Sequence, residues 1–247
     1  MTGTTLSRRA IRTAIFDLDG TLIDSEGNHY ESDRILLSRR GIPFSREDKA
    51  RYVGKDIVEM VRSVAAEYGL RDSVNELLEE KNGIYRQLAL RSSILFPPMK
   101  NLLEGLRDRG IPMCVATGSN SAIAAEILEL LDIRHFFSFV ISSSDVPRGK
   151  PSPDIFLEAA RRMHGSPEST IVFEDTCYGV QAARSAGMAC VAFPAAPAGK
   201  GDCCGQADYT VPGGPGDLDT EAFFLWFETA FPRGTVAGRA ILPVAEK

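Results

Sequence analysis

Two aspartates, Asp17 and Asp19, directly follow a short apolar run and precede Gly20. In an extended chain, residues i and i+2 point to the same side, so both carboxylates are expected to face one site. A calcium-binding loop is excluded, because it requires glycine at its sixth position and glutamate at its twelfth, where this chain has Leu22 and Asn28. The pair is therefore a candidate for nucleophilic or acid–base chemistry.

Three further polar clusters follow apolar runs: Thr117-Gly118-Ser119-Asn120, a loop ending in Gly149-Lys150-Pro151, and Glu174-Asp175-Thr176. Each cluster also has a purely structural interpretation. Thr117 and Ser119 could cap a helix, Lys150 could be a solvated charge, and Glu174-Asp175 could be acidic residues at a helix start. Because ligands bind beyond the carboxyl ends of strands in open parallel sheets, the four clusters together favour a binding site.

The residue types in these clusters indicate phosphoryl chemistry. Several carboxylates without His or Cys partners favour a hard ion such as Mg²⁺, which typically binds few carboxylates plus phosphate oxygens. Such an ion offsets the repulsion between a carboxylate nucleophile and an anionic phosphate. Lys150, Thr117 and the N–H groups of a helix start would bind the transferring oxygens.

The elements that must position these residues alternate along most of the chain. Short apolar runs rich in β-branched residues predict buried strands at 13–16, 113–116, 139–141, 171–173 and 189–193, with a short strand at 209–211. Amphipathic helical patterns lie between them, and a last helix is expected at 221–230. This alternation predicts an α/β fold with a parallel-sheet, Rossmann-like core.

Residues 25–95 break the alternation, because they show successive amphipathic helices without an intervening strand. We therefore expect two domains: an α/β core formed by residues 1–24 and 96–247, and an inserted α-helical domain formed by residues 25–95. The insertion has twelve basic and twelve acidic residues, so the whole net charge of −5 falls on the core.

Composition limits the classes of partner and compartment. With a net charge of −5 and no long basic run, the chain is not expected to bind nucleic acid. No apolar stretch approaches the roughly 20 residues that span a bilayer, so no membrane partner is expected. The five cysteines are odd in number and form no C-x-x-C pair, which favours reduced cysteines in a cytoplasmic protein. We expect a monomer.

The chain closely resembles the haloacid dehalogenase-like hydrolase superfamily over residues 13–193. The four motifs of that superfamily appear in order: Asp17-Leu18-Asp19-Gly20-Thr21, then Thr117, then Lys150 in Gly149-Lys150-Pro151-Ser152-Pro153-Asp154, then Phe173-Glu174-Asp175. The resemblance implies that Asp17 is the nucleophile that becomes an aspartyl phosphate, and that Asp19 is the general acid and then the general base. It also implies that Thr117, Gly118 and Lys150 bind the phosphoryl group.

The same resemblance implies a Mg²⁺ cofactor held by Asp17, the Asp19 carbonyl and Asp175, with Glu174 as a direct or water-mediated ligand. The helical insertion is similar to the four-helix cap of the phosphoglucomutase-like branch, which closes over a substrate. The second aspartate of the first motif points to phosphate esters. The expected substrate is therefore a small phosphorylated metabolite such as a sugar phosphate.

Two activities of that branch remain open, a phosphatase and a β-phosphoglucomutase. His29, twelve residues after Asp17, matches a histidine found in mutases, but phosphatases of the branch resemble them there. Mutases usually follow a cap glycine with an arginine that binds a distal phosphate, whereas this chain has Lys55 after Gly54. We therefore favour a phosphatase. A non-catalytic sensor of phosphorylated ligands is disfavoured, because all the expected chemical residues are present.

Overall fold

The computed structural model describes residues 10–52, 57–194 and 204–232. Its strands are β1 (Thr13–Phe16), β2 (Ile23–Asp24), β3 (Ile94–Leu95), β4 (Met113–Thr117), β5 (Phe137–Ser142), β6 (Thr170–Glu174), β7 (Ala189–Ala192) and β8 (Tyr209–Thr210). Six of them form a parallel sheet in the order β5-β4-β1-β6-β7-β8. This sheet confirms the predicted α/β fold.

The described helices fall into two groups. Helices α1 (Glu26–Ser38), α2 (Arg46–Ala50), α3 (Ile57–Tyr68) and α4 (Val74–Ser92) lie between β2 and β3 and are called the helical insertion. Helices α5 (Pro97–Asp108), α6 (Ser121–Leu130), α7 (Asp154–Arg162), α8 (Cys177–Ser185) and α9 (Thr220–Ala230) accompany the large sheet. The second group covers both faces of the sheet, as a buried parallel sheet requires.

Side chains of β1 alternate between two apolar clusters. Ala14 and Phe16 pack in one cluster with residues of α5, α6 and α9, whereas Ile15 packs in the other with residues of α7 and α8. Phe16 also stacks on Phe173 of β6, with ring centroids 4.3 Å apart and an interplanar angle of 4°. Because Phe16 and Phe173 are register partners, this packing helps to align the carboxyl ends of β1 and β6.

The helical insertion is attached to the sheet domain through a two-stranded ribbon that the sequence did not predict. In this ribbon Ile23 pairs with Leu95 and Asp24 with Ile94, antiparallel, so the chain leaves and re-enters at adjacent points. Strands of two residues are too short to show alternation. Within the insertion, α2 and α4 begin with capping boxes at Ser45 and Ser73.

The described residues also bear on membrane and redox expectations. Within the described ranges, no helix has the length and apolar character needed to cross a membrane. Cys114 and Cys190 are free and buried. Cys177, in contrast, is disulfide-bonded, so the expectation that the cysteines are reduced is wrong at this residue. The spacing of cysteines in a sequence does not show which of them the fold brings together, and the cytoplasmic location stays a prediction without this support.

Candidate phosphoryl-transfer site

The carboxyl ends of neighbouring strands gather the predicted residues at one edge of the sheet. Asp17 directly follows β1, Thr117 ends β4, and Glu174 ends β6. Register pairs Phe16 with both Val115 and Phe173, which places these three strand ends side by side. The sequence-based expectation that separate polar clusters meet at one edge therefore agrees with the sheet.

Lys150 joins the carboxylates at the centre of this site. Its Nζ donates to Asp17 Oδ1 at 2.6 Å and to the Ala116 carbonyl at 3.2 Å, and it also binds Glu174 Oε1. The lysine side chain is only 11% exposed. The interpretation of Lys150 as a solvated surface charge is therefore wrong.

Glu174, which binds Lys150, is itself held in place by hydrogen bonds from Thr176. Its side chain is buried, and its second oxygen, Oε2, accepts hydrogen bonds from the backbone N–H and the hydroxyl of Thr176, at 3.0 and 2.9 Å. The Thr176 hydroxyl in turn accepts from the N–H of Gly179 and caps α8. A Cβ at Gly179 would collide with the Glu174 carboxylate, so any larger residue there would displace this carboxylate from its present position.

The site contains more carboxyl groups than lysine side chains, so negative charge is in excess there. Burial, together with the neighbouring Glu174 and Asp19, raises the pKa of Asp17 to about 8, although Lys150 opposes this effect. Burial, Glu174 and Asp17 also raise the pKa of Asp175 well above its ordinary value. Burial lowers the pKa of Lys150, but its two carboxylate partners outweigh burial and raise it. A divalent cation would relieve the remaining repulsion between these carboxylates.

The donor chemistry of the site fits Mg²⁺, because its ligating atoms are oxygens with an excess of negative charge. Asp175 lies beside the first cluster: Thr21 Oγ1 donates to Asp175 Oδ1 at 3.2 Å. A Cβ at Gly20, whose φ is +78°, would collide with the same carboxylate. In the part of the chain that the structure describes, no three Asp, Glu, His or Cys side chains form a metal-binding group, and the expected ligand set relies partly on a backbone carbonyl.

Three donors surround the carboxylate of Asp19. Tyr85 Oη donates to Oδ1 and Ser119 Oγ to Oδ2, each at 2.6 Å, and His29 Nε2 lies 3.1 Å from Oδ1. Burial alone would raise the pKa of Asp19, but His29 and the hydrogen bonds from Ser119 and Tyr85 outweigh burial and hold the pKa below its usual range. The arrangement stabilises the ionised form of this carboxyl group.

The segment after β4 presents a helix start to the site. Asn120 caps α6, since its Oδ1 accepts from the N–H groups of Ala122 and Ile123 at 3.0 and 3.2 Å. The interpretation of Thr117 and Ser119 as N-caps is therefore wrong. Thr117 is fully buried and its hydroxyl accepts from Ser119 N at 3.0 Å, while a Cβ at Gly118 would meet no atom within 4 Å. Space beside Gly118 is thus open to a ligand.

Sequence reasoning missed Tyr85, and it included Ser119 in a polar cluster without assigning it a contact with Asp19. Tyr85 fits the apolar stripe of its helix, a pattern that indicates a core residue, and Ser119 stands where a helix cap is common. The spacing of His29 from Asp17 singles it out in the sequence, but it does not show which residues His29 contacts. Its stacking on Tyr85, with centroids 4.2 Å apart, shows that the two rings form one unit. Gly54 and Lys55, which entered the choice between phosphatase and mutase, lie outside the described residues.

A buried parallel sheet with polar residues at its carboxyl edge places this chain among the α/β enzymes that bind ligands at that edge. The model of one family, haloacid dehalogenase-like hydrolase, matches residues 11–187. The chain therefore belongs to the haloacid dehalogenase-like hydrolases and is an enzyme of that family, as the four motifs predicted.

Similar proteins agree with this assignment. The chain is 34% identical over 174 residues to the fructose-1-phosphate phosphatase of Escherichia coli K12, covering 70% of this chain and 92% of that protein. It is 35% identical over 201 residues to (DL)-glycerol-3-phosphatase 2 of Arabidopsis thaliana, covering 77% and 82%. The solved β-phosphoglucomutase of Clostridium difficile superposes with a TM-score of 0.72 at 25% identity, covering 89% and 98%.

Proposed function

We propose that this protein is a Mg²⁺-dependent phosphatase that hydrolyses a small phosphorylated metabolite, such as a sugar phosphate, through an aspartyl-phosphate intermediate. The observation that carries the proposal is the contact of Lys150 with Asp17 Oδ1 at 2.6 Å, at the end of β1 and two residues before Asp19. The lysine binds one oxygen of this carboxylate, and the second oxygen is the candidate for attack. Relatives that are named for fructose 1-phosphate and glycerol 3-phosphate support the substrate class.

Two carboxyl groups, those of Asp17 and Asp19, carry out the two steps of the proposed reaction. In the first step an Asp17 oxygen bonds to phosphorus while the ester P–O bond breaks, and the protonated form of Asp19, a strong acid because its neighbours hold its pKa low, gives its proton to the leaving oxygen. In the second step the Asp19 carboxylate takes a proton from the water that attacks phosphorus, and inorganic phosphate leaves Asp17. Thr117, Gly118 and Lys150 would bind the phosphoryl oxygens during both steps.

The proposed cofactor is Mg²⁺, held by Asp17, the Asp19 backbone carbonyl and Asp175. Glu174 would contribute directly or through water, and its existing bonds to Lys150 and Thr176 favour the second mode. When bound, the ion supplies positive charge that lets a carboxylate and a phosphate approach each other.

The helical insertion serves in this proposal as a cap over the site. The proposed cap comprises residues 25–95, and the proposed core comprises residues 1–24 and 96–247. Tyr85 and His29 support this role, because both lie in the insertion and contact Asp19 of the core. We propose that a cap in this position restricts the site to small substrates. We also propose that the monomer is the active unit.

Hydrolysis of p-nitrophenyl phosphate tests the proposal. We expect turnover with Mg²⁺, loss of turnover with EDTA, and a loss of at least about 10³-fold in the Asp17→Asn variant, because the nucleophile is removed. Asp132→Asn is the matched control, since its side chain is fully exposed at the surface. Undiminished turnover by Asp17→Asn would contradict the nucleophile assignment, and turnover unaffected by EDTA would contradict the metal requirement.

A β-phosphoglucomutase is the second candidate, favoured by the structural similarity to the enzyme of Clostridium difficile. The two activities differ in the acceptor of the phosphoryl group, which is water in one and a sugar phosphate in the other. Incubation of β-glucose 1-phosphate with a glucose bisphosphate primer separates them. We expect phosphate release or no reaction, and rapid formation of glucose 6-phosphate would favour the mutase.

A further inference from the structure

Tyr85 links the helical insertion to the core at Asp19. The tyrosine lies on α4, is 3% exposed, and its Oη donates to Asp19 Oδ1 at 2.6 Å. Its ring is fixed by His29 of α1, which stacks on it at 4.2 Å with an interplanar angle of 11°. The phenol is therefore held in one place before a substrate arrives. The mechanism described above gives it no role.

The two hydroxyl donors bind different oxygens of the same carboxyl group. Tyr85 from the insertion binds Oδ1 and Ser119 from the core binds Oδ2. One donor would leave the group free to rotate about its Cβ–Cγ bond, whereas two donors on separate oxygens fix its plane. Removing Tyr85 Oη would leave Oδ1 with only the longer contact of His29 Nε2 at 3.1 Å, and would therefore loosen the orientation of Asp19 without removing the carboxyl group itself.

We propose that Tyr85 is a positioning residue for proton transfer by Asp19, an inference that rests on the phosphatase function proposed above. As the Asp17 oxygen bonds to phosphorus, the ester P–O bond breaks and its electron pair stays on the leaving oxygen. That oxygen takes the Asp19 proton, which gives an alcohol and the Asp19 carboxylate. Tyr85 aims the carboxyl group at the leaving oxygen and donates to the negative charge that the transfer leaves behind.

The consequence depends on the basicity of the leaving group. A basic leaving oxygen needs the proton of Asp19, whereas p-nitrophenolate is stabilised by its ring and needs it far less. Phenyl phosphate and p-nitrophenyl phosphate have similar shapes but leaving groups of different basicity. A residue that acts through Asp19 must therefore affect these two substrates unequally, and a residue that only holds the fold together must affect them equally.

Rapid-quench measurement of the first step with Mg²⁺ tests this inference on the full chain. We expect Tyr85→Phe to lower the rate of enzyme phosphorylation by phenyl phosphate about tenfold or more, and that by p-nitrophenyl phosphate less than about threefold, with little change in KM. The ratio of the two rates is measured on one sample. Any loss of folded protein therefore cancels.

Two control variants separate this role from a general loss of cap contacts. Tyr30→Phe removes a phenol hydroxyl that binds the Phe44 carbonyl within the insertion. Arg86→Gln removes an exposed ion pair of 2.7 Å between the insertion and Glu126 of α6. Both variants are expected to leave the rate ratio unchanged.

A double-mutant cycle with Asp19→Ala gives the second readout. If Tyr85 acts through Asp19, Tyr85→Phe has no further effect on the phenyl phosphate rate once the carboxyl group is gone. Equal losses on both substrates, or a full additional loss in the Asp19→Ala background, would overturn the inference and leave the phosphatase function intact. Absence of Mg²⁺-dependent phosphate release by the unmutated protein would instead overturn the proposed function.

Discussion

Lys81 is a buried charge in the helical insertion, and its removal is expected to change how stability depends on pH. The side chain lies on α4, is 1% exposed, and its Nζ binds Asp33 and Ser32 Oγ. Asp33 also accepts from Lys49 Nζ at 2.7 Å. Burial lowers the pKa of Lys81 to about 8; Asp33 and Glu26 oppose the effect and Lys49 adds to it.

The direction of this pH dependence follows from the protons that Lys81 binds in the native and in the unfolded state. An unfolded lysine has a pKa of 10.5, so between pH 8 and 10.5 the unfolded chain binds more protons at Lys81 than the native protein does. The free energy of unfolding therefore rises with pH through this window. The difference between the two pKa values corresponds to an increase of about 3 kcal/mol in the free energy of unfolding over the whole window. About 2 kcal/mol of this increase falls between about pH 7.5 and about pH 9.5.

Urea denaturation of Lys81→Met at these two pH values measures the effect. Methionine keeps an unbranched chain, and Asp33 keeps Lys49 as its partner. The increase in unfolding free energy from the lower to the higher pH is expected to be about 2 kcal/mol smaller in Lys81→Met than in the unmutated protein. Lys100→Met, at an exposed position on α5, is the control. The same pH dependence in Lys81→Met and the unmutated protein would refute the reasoning.

Two further predictions concern the site. Lys150→Met is expected to lower the free energy of unfolding by about 3–5 kcal/mol in urea titrations, because the Asp17 and Glu174 carboxylates lose their buried cation; a loss below about 1 kcal/mol would contradict this. Gly20→Ala is expected to lower Mg²⁺-dependent turnover more than Gly41→Ala does. Both glycines have positive φ, but only at Gly20 would the new methyl group strike Asp175, and equal turnover in the two variants would disprove the effect.

The large sheet was predictable because its strands are buried on both faces and therefore read as continuous apolar runs. The run at 13–16 corresponds to β1 without a change of bounds. The run at 139–141 is extended in the structure to β5 (Phe137–Ser142), since Phe137 pairs with Met113 of β4. Pairing with a neighbouring strand thus extends a strand by residues that the local sequence pattern does not predict.

The site was predictable only in part, for a different physical reason. The motif residues could be predicted as site residues from their positions at strand ends. The carboxyl edge of a parallel sheet brings these strand ends together, whatever segments lie between them in the sequence. Tyr85 carries no such signal, because a tyrosine in an apolar stripe is a common core residue. Ser119 follows a strand end, but a serine before a helix is also a common cap, so the sequence does not show its contact with Asp19. Their roles depend on how α4 and the start of α6 approach Asp19, which local sequence does not specify.

The polar contacts between the insertion and the core differ in their exposure to solvent. The Arg86–Glu126 ion pair has side chains 48% and 37% exposed, and pairs of this kind contribute about 0–1 kcal/mol. The contacts of Tyr85 and His29, in contrast, are partly shielded from water and end on Asp19, the carboxyl group proposed to move the proton. Since hydrogen bonds to an ionised group in such surroundings are the stronger ones, one contact both joins the insertion to the core and orients the proposed acid. Any displacement of α4 relative to the core is therefore expected to change the orientation of Asp19.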